Sequence, residues 1–334
     1  MSKQVLVTSR SFVREVPEAM QLLRDGGLVP VVCIRDLPWS EEDLVPMVAE
    51  ADGVVAGLDP FTARVLANAP RLKVIARNGV GVDTVDVEAA TARGIYVTNA
   101  GPAVADSVAD LTLALILNLA RQIPQAWEET RSGAWKRRVG CDLAGKRLGI
   151  IGTGAIGRAV AVRARAFGLH LLAFDVRPDP AWAEMVSAEY TTLPDLLARS
   201  DFVTLHVPLA PATRGLIGRE QLRLMKPTAY LINTARGGIV DEAALAEALK
   251  EGRLAGAALD VFEQEPPRGN PLLTMPNVLA TPHIGSATRE ATAAACLIAA
   301  RNVVAVLSGQ EPLSAVNRDA VQATLRDRRK GLLE

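Results

Sequence analysis

Four apolar runs in the second half of the chain each stop at residues able to do chemistry. FVTLHVP ends in His206, Val207 and Pro208, YLINTAR in Thr234, Ala235 and Arg236, AGAALDVFEQEP in Asp260 with Glu265 beyond, and VLATPHIGS in His283. Open α/β sheets take their ligands outside the carboxyl ends of the strands, so an arginine, two acids and a histidine converge where a reaction would run. Their types suit hydride transfer between a nicotinamide and carbon 2 of an α-hydroxy acid. Arg236 offers a planar, permanently charged fork to carboxylate and carbonyl oxygens. His283 exchanges the hydroxyl proton near neutral pH. Glu265 beside it would fix the tautomer and favour imidazolium, so that a proton is available for reduction. Neither Ser286 nor Cys296 sits in a nucleophile elbow, which disfavours hydrolysis.

The partner of such a site lies upstream. In RLGIIGTGAIGRAVAVRARAFG, Gly152, Gly154 and Gly157 follow an apolar strand and open a helix. Gly152 allows the tight turn, Gly154 lets the backbone approach a pyrophosphate, and Gly157 lets helix and strand pack closely. The next run, LHLLAFD, ends at Asp175, the distance downstream at which a carboxylate takes the ribose hydroxyls. Asp175 also repels a 2′-phosphate, favouring NAD over NADP, and Arg177 partly offsets that repulsion.

The elements that must hold these residues are legible as alternating short strands and helices. QVLVT, LVPVVCI, GVVAG, LKVIA and IYVTN form one series, and RLGIIG, HLLAFD, FVTLHV, AYLINT, LAGAALDV and VLATPH a second. Strands this apolar are buried on both faces, so the fold class is α/β with two doubly wound parallel-sheet domains. Between the series, DSVADLTLALILNLA (106–120) starts with possible caps at Asp106 and Ser107 and is apolar around much of its circumference. Such a helix must be covered on more than one side, by both domains or by a second subunit.

Composition narrows the function classes. The 334 residues are 49% apolar, and 37 basic residues balance 37 acidic ones without a cationic footprint for nucleic acid. The basic cluster RDRRK (326–330) reads as a solvated tail. Arg301 and Asn302 interrupt the apolar run at 291–307, so no membrane span is expected. Three scattered cysteines, Cys33, Cys141 and Cys296, give neither a disulfide framework nor metal spacing and suit a reducing cytoplasm. No metal is expected.

The segments GTGAIG, NTARGGIVDEAALAEALKEGRLAGAALDVFEQEPP and TPHIGSATREA resemble the D-isomer-specific 2-hydroxyacid dehydrogenase family, most closely its phosphoglycerate dehydrogenase-like branch. The likeness runs over residues 50–315 and is most specific over 230–290. It implies a Rossmann NAD-binding domain (99–288) inserted into a flavodoxin-like substrate domain (1–98 and 289–334), the two closing over a cleft, with a homodimer formed through the nucleotide domain. It implies Arg236, Glu265 and His283 as the catalytic set. The implied cofactor set is Gly152, Gly154, Ala155, Ile156, Gly157, Asp175, His206, Val207, Pro208, Thr213, Thr234, Ala235, Asp260 and Gly285. For the substrate, it implies the amides around Asn78, Gly79, Val80 and Gly81 in ARNGVGVD, together with Arg236 and His283. Glycines at alternate positions there let backbone donors approach an anion.

The chain also departs from that pattern. Where relatives carry an arginine for a substrate phosphate, the stretch GVVAGLDPFTA has Ala56 and Gly57, and Arg10 is the candidate substitute. Only some twenty residues follow LSAVN, so a serine-sensing regulatory domain is not expected. The expected activity is NAD-dependent interconversion of a small D-2-hydroxy acid and its 2-keto acid, with glyoxylate or hydroxypyruvate set against 3-phosphohydroxypyruvate. An NAD-sensing corepressor is the alternative from another class. His206 reads as a lining residue rather than an acid/base, His170 as structural, Trp135 as loop packing, and Asp83, Asp110 and Asp241 as turn or helix-start acids.

Overall fold

The structure, a computed structural model, describes residues 2–330. The chain divides into two compact units: the described residues up to Val104 together with those from Thr288 on, and Ala105–Ala287.

The first unit holds β1 (Lys3–Val7), β2 (Leu28–Val32), β3 (Gly53–Ala56), β4 (Val74–Arg77) and β5 (Tyr96–Thr98). All pair parallel in the order β2-β1-β3-β4-β5, so the chain reverses direction across the sheet between β1 and β3. Alternate side chains enter opposite layers, as a pleated strand requires. Val5 and Val7 pack with Phe12, Leu23 and the helix Arg289–Leu307, while Leu6 packs with Leu44, Val65 and Ile75 on the other face.

The second unit holds β6 (Arg147–Ile151), β7 (His170–Phe174), β8 (Ala188–Tyr190), β9 (Phe202–Leu205), β10 (Tyr230–Asn233), β11 (Gly256–Leu259) and β12 (Val278–Ala280). They run parallel in the order β12-β11-β10-β9-β6-β7-β8, with the reversal between β6 and β9. This is the dinucleotide-binding order with one further strand at the β12 edge. The apolar runs seen in the sequence account for every strand except β8. AEY is too short and too polar to register as a strand, and it forms by pairing with β7 at a sheet edge.

One expectation needs correction. The helix spans Ala105–Arg121, one turn of 3₁₀ helix precedes it, and Asp106 and Ser107 lie inside it rather than capping it. Asp106 and Asp110 instead grip Arg163 of the helix Ala155–Ala166, at 2.9 and 2.5 Å. One face of the long helix packs within its unit through Val108, Thr112, Leu115 and Leu119; Asp110, Ala114 and Arg121 stay exposed, with Leu111 and Leu117 part-exposed. The cluster at 326–330 is helical, as the end of the helix Arg318–Lys330, while Arg326, Asp327 and Arg328 are exposed as a solvated segment should be. There Arg328 donates to the carbonyls of Ala92 and Arg93, closing the end of the helix Val87–Ala92. By length and composition alone, Gly101–Arg121 and Arg289–Leu307 are apolar enough to cross a membrane.

Candidate active site

The tight packing of the second unit starts with its glycines. Gly152 has φ +95°, and a side-chain carbon there would lie 2.6 Å from the His206 carbonyl. One at Gly157 would lie 2.0 Å from the Gly152 carbonyl, a distance no side chain survives. Gly154, the residue that precedes the helix Ala155–Ala166, faces open space where its side chain would stand. A buried turn that opens on one side at a helix N-terminus is a cradle for an anion. Ala155 and Ile156 form the first turn of that helix.

Asp175 closes the far side of the cradle. Its Oδ2 accepts from the amide and hydroxyl of Thr153, at 2.7 and 3.0 Å, and its Oδ1 from the amide of Arg177 at 2.9 Å. Burial pushes this carboxyl up, but the Arg177 and Thr153 hydrogen bonds and the charge of Arg158 outweigh it and hold the group below the usual carboxylate range. A carboxylate has about four acceptor positions. With three occupied, Oδ1 retains one for a ribose hydroxyl. Thr153 is in turn held by the Tyr190 hydroxyl at 2.7 Å, so the unanticipated β8 supports the ribose-side acid.

At the end of β9 the His206 ring is enclosed. Nε2 meets Thr204 Oγ1 at 3.0 Å, Nδ1 has no partner among the described residues, and burial pushes the imidazole down to about 3. It is neutral at neutral pH. Val207 packs against Gly152. The Thr213 hydroxyl donates to the Pro208 carbonyl at 2.6 Å and accepts from the Ala210 amide at 2.8 Å, so it braces its own loop.

The reaction end lies on β10, β11 and β12. Asn233 staples the turn after β10, accepting from the Ala235 amide and donating to the Arg236 carbonyl. Thr234 is buried against Thr112 Oγ1 at 3.0 Å, and Arg236 Nη1 donates to the Ala235 carbonyl at 2.7 Å. Gly237 has the tightest requirement: a side-chain carbon there would stand 1.9 Å from the Phe262 carbonyl. Only glycine lets the turn after β10 lie on the loop after β11, where Glu265 resides. Neither Gly237 nor Thr112 was singled out from the sequence, although the first glycine of ARGG was available as a signal.

Asp260, 1% exposed, organises the loop after β12. Its carboxylate accepts from the Thr281 hydroxyl (2.6 Å) and the amides of Ile284 and Gly285 (both 2.8 Å), and its carbonyl accepts from the His283 amide. These bonds hold His283 at φ +55°, a left-handed conformation a histidine adopts only when its surroundings dictate it. His283 Nδ1 then meets Glu265 Oε2 at 2.7 Å, and Glu265 Oε1 accepts from the Phe262 amide at 3.1 Å. Burial pushes the Glu265 carboxyl up, but the hydrogen bond and charge of His283, the Phe262 amide and the charge of Arg236 outweigh it, and the group lies below the usual range. An ionised acid that fixes one ring nitrogen leaves Nε2 to meet a substrate.

In the first unit the loop after β4 carries Asn78, Gly79, Val80 and Gly81. One expectation fails there: the Asn78 amide donates to the Ala56 carbonyl at 3.0 Å as a continuation of the sheet, so it is not available to an anion. The amides of Gly79, Val80 and Gly81 have no acceptor among the described residues, while their carbonyls are held by the Ala100 amide, Asn99 Nδ2 and Arg77 Nε. Arg10 is exposed and paired with Asp36 at 3.0 Å.

The family model described as D-isomer specific 2-hydroxyacid dehydrogenase, NAD binding domain, matches residues 113–285. The chain is 47% identical over 304 residues to a D-3-phosphoglycerate dehydrogenase of Methanocaldococcus jannaschii, covering 90% of this chain but spanning 57% of that protein's length. It is 45% identical over 291 residues to a glyoxylate reductase of Thermococcus litoralis, with 84% of this chain and 88% of that one covered. The crystal structure of a glyoxylate reductase from Paecilomyes thermophila superposes with a TM-score of 0.86 at 30% identity, covering 94% and 98% of the two chains. The open cradle at Gly154 and the spare acceptor on Asp175 fit the NAD for which that domain is named. With two parallel α/β sheets, a glycine cradle and a histidine–glutamate pair on the strand ends, the chain belongs to the D-isomer-specific 2-hydroxyacid dehydrogenases, an NAD-binding oxidoreductase family.

Proposed function

We propose that this enzyme reduces a small, unphosphorylated 2-keto acid to the D-2-hydroxy acid, with Arg236, Glu265 and His283 as its catalytic set. The observation that carries this reading is the 2.7 Å contact between His283 Nδ1 and Glu265, on a loop that Asp260 holds rigid. When bound, NADH supplies the hydride. Arg236 binds the carbonyl oxygen and carboxylate, and His283 Nε2 donates the proton to the forming hydroxyl; within the first unit, the amides of Gly79, Val80 and Gly81 suit an anion. Gly152, Gly154 and Gly157 admit the pyrophosphate, and Asp175 takes the adenosine ribose. The first unit is then the substrate domain and the second the cofactor domain. Relatives named glyoxylate reductase support the unphosphorylated acid, as does the pairing of Arg10 with Asp36.

The enzyme acts as a homodimer in the cytoplasm on this reading. The uncovered stripe of Leu111, Ala114 and Leu117, continued by exposed Ile123 and Trp127, supports a second copy, and three unpaired cysteines support a reducing compartment. The test is NADH oxidation with glyoxylate, hydroxypyruvate and 3-phosphohydroxypyruvate in parallel, repeated with NADPH. The expected result is turnover of the unphosphorylated acids with NADH preferred; selective turnover of the phosphorylated acid would overturn the substrate assignment.

A further inference from the structure

Glu265 stands on a loop that leaves the sheet after β11 and returns through the short 3₁₀ helix Pro271–Thr274 to β12. Both ends of that excursion meet one side chain. Glu242, in the first turn of the helix Glu242–Lys250, accepts from the Glu263 amide through Oε1 and from Asn270 Nδ2 through Oε2, both at 2.5 Å. A carboxylate that takes one donor shortly before Glu265 and another shortly after it draws the base of the loop closed, and hydrogen bonds to an ionised acceptor are the strong kind. Leu245 of that helix, Phe262 and Leu272 are buried in one apolar cluster, so the clasp sits on a fixed base.

The donors at this clasp have no other way to turn. The Glu263 amide is backbone, and Gly237 is pressed against it: a side-chain carbon at that glycine would stand 2.4 Å from the Glu263 nitrogen. Asn270 Oδ1 accepts from the Leu272 amide at 3.0 Å as the cap of the 3₁₀ helix, which leaves Nδ2 for Glu242. Two fixed donors call for a group with acceptors only, and an ionised carboxylate is that group. Asp241 caps the helix Glu242–Lys250 through the Ala244 amide at 3.0 Å, so Glu242 is spared for the loop. The positive end of the helix dipole also favours a negative charge at that position.

We infer that Glu242 is a positioning residue of the reaction: by clasping the loop it sets Glu265 against His283 and so keeps the proton of the neutral imidazole on Nδ1. The inference rests on the reading of Arg236, Glu265 and His283 as the catalytic set. Glu265 is tied to its own loop by the Phe262 amide on Oε1, so the place of Oε2, the oxygen that meets His283, depends on where the loop is held. While Oε2 accepts from the Nδ1 proton, Nε2 of the neutral ring keeps its lone pair and can take up the proton that reduction then delivers. If Oε2 moves away, the neutral ring is free to carry its proton on Nε2 instead.

The test uses Glu242→Gln in the full chain. Glutamine keeps one acceptor but turns an amide NH2 toward one of the two donors, so the clasp opens at one end. Asn270→Asp opens it by setting two carboxylates face to face, while its other oxygen still caps the Leu272 amide. The chain has three histidines, so nitrogen NMR of the histidine-labelled, cofactor-free enzyme, at a pH where the ring is neutral, reads the His283 tautomer directly; its signals are those lost in His283→Asn. The parent should hold the proton on Nδ1, and both variants should share it with Nε2. With NADH and glyoxylate, kcat should fall about tenfold or more while KM for NADH stays within about twofold. A parent ring protonated on Nε2, or an unchanged tautomer in both variants, would overturn the proposal, and a lower melting temperature alone would mean that Glu242 serves folding only. A tautomer shift in a chain that oxidises NADH with no keto acid would support the clasp and remove the reductase reading instead.

Discussion

The loops that end β10, β11 and β12 and the loops that end β1, β3 and β4 both lie at the carboxyl edge of a parallel sheet, yet they are finished differently. In the first group the carboxylates of Asp260 and Glu265 are bonded to backbone amides and to neighbouring side chains, and Gly237 is pressed onto the Phe262 carbonyl. In the second, Asp59 Oδ2, Asn78 Oδ1 and the amides of residues 79–81 have no partner among the described residues. A site complete before substrate arrives loses little to reorganisation during reaction, which is what proton transfer and charge stabilisation need. A site that leaves groups unpaired gains most from the one ligand that pairs them all, which is how binding discriminates. The loops after β10, β11 and β12 are thus completed by their own hydrogen bonds, whereas those after β1, β3 and β4 keep buried acceptors without a partner among the described residues.

The largest effect that would break this contrast is at His283. His283→Asn suits the left-handed backbone, since asparagine tolerates φ near +55°, but removes the proposed acid/base. We expect kcat to fall by about 10²- to 10⁴-fold with the melting temperature nearly unchanged. Retained turnover would mean that the proton comes from elsewhere and that the completed loop serves only folding.

Next in size is Gly237→Ala. The new carbon cannot share space with the Phe262 carbonyl, so the turn bearing Arg236 must move away from the loop bearing Glu265. Such overpacking against backbone costs roughly 3 kcal/mol, read as a lower urea midpoint, and KM for the keto acid should rise together with the loss in kcat. A variant as stable as the parent would show that these loops are looser than the contrast requires.

Much of the fold was legible because parallel strands buried on both faces leave continuous Val, Ile and Leu runs, and because glycine spacing reports turns directly. β8 was not, since AEY gains its strand character from pairing with β7. Helix caps at Asp106 and Ser107 were misplaced because a preceding 3₁₀ turn extends the helix upstream, and Asp106 pairs, together with Asp110, with Arg163. At the site, residue types pointed to Arg236, Glu265 and His283, but the demand for glycine at 237 depends on Phe262, twenty-five residues away in sequence and in contact only after folding. The commitment of the Asn78 amide to Ala56 and the unpaired oxygen of Asp59 are equally invisible in one dimension, because they follow from what the sheet places opposite each atom.

The smallest expected effect concerns His206 in the second unit, whose Nδ1 is buried without a partner among the described residues. Burial lowers its imidazole to about 3, whereas in the unfolded chain it titrates near the ordinary value of about 6.5. Between these values the unfolded state holds one proton more than the folded state, so stability rises with pH across the window. The contribution is fully present above about 6.5 and is lost as pH falls toward 3, at no more than about 1.4 kcal/mol per pH unit. His206→Asn removes the titrating group, so its urea midpoint should decline less steeply than the parent's between pH 6.5 and 4. Parallel curves would mean that the imidazole is protonated in the folded state and that a donor or water reaches Nδ1. In that case, the second unit would share the unfinished character assigned here to the first.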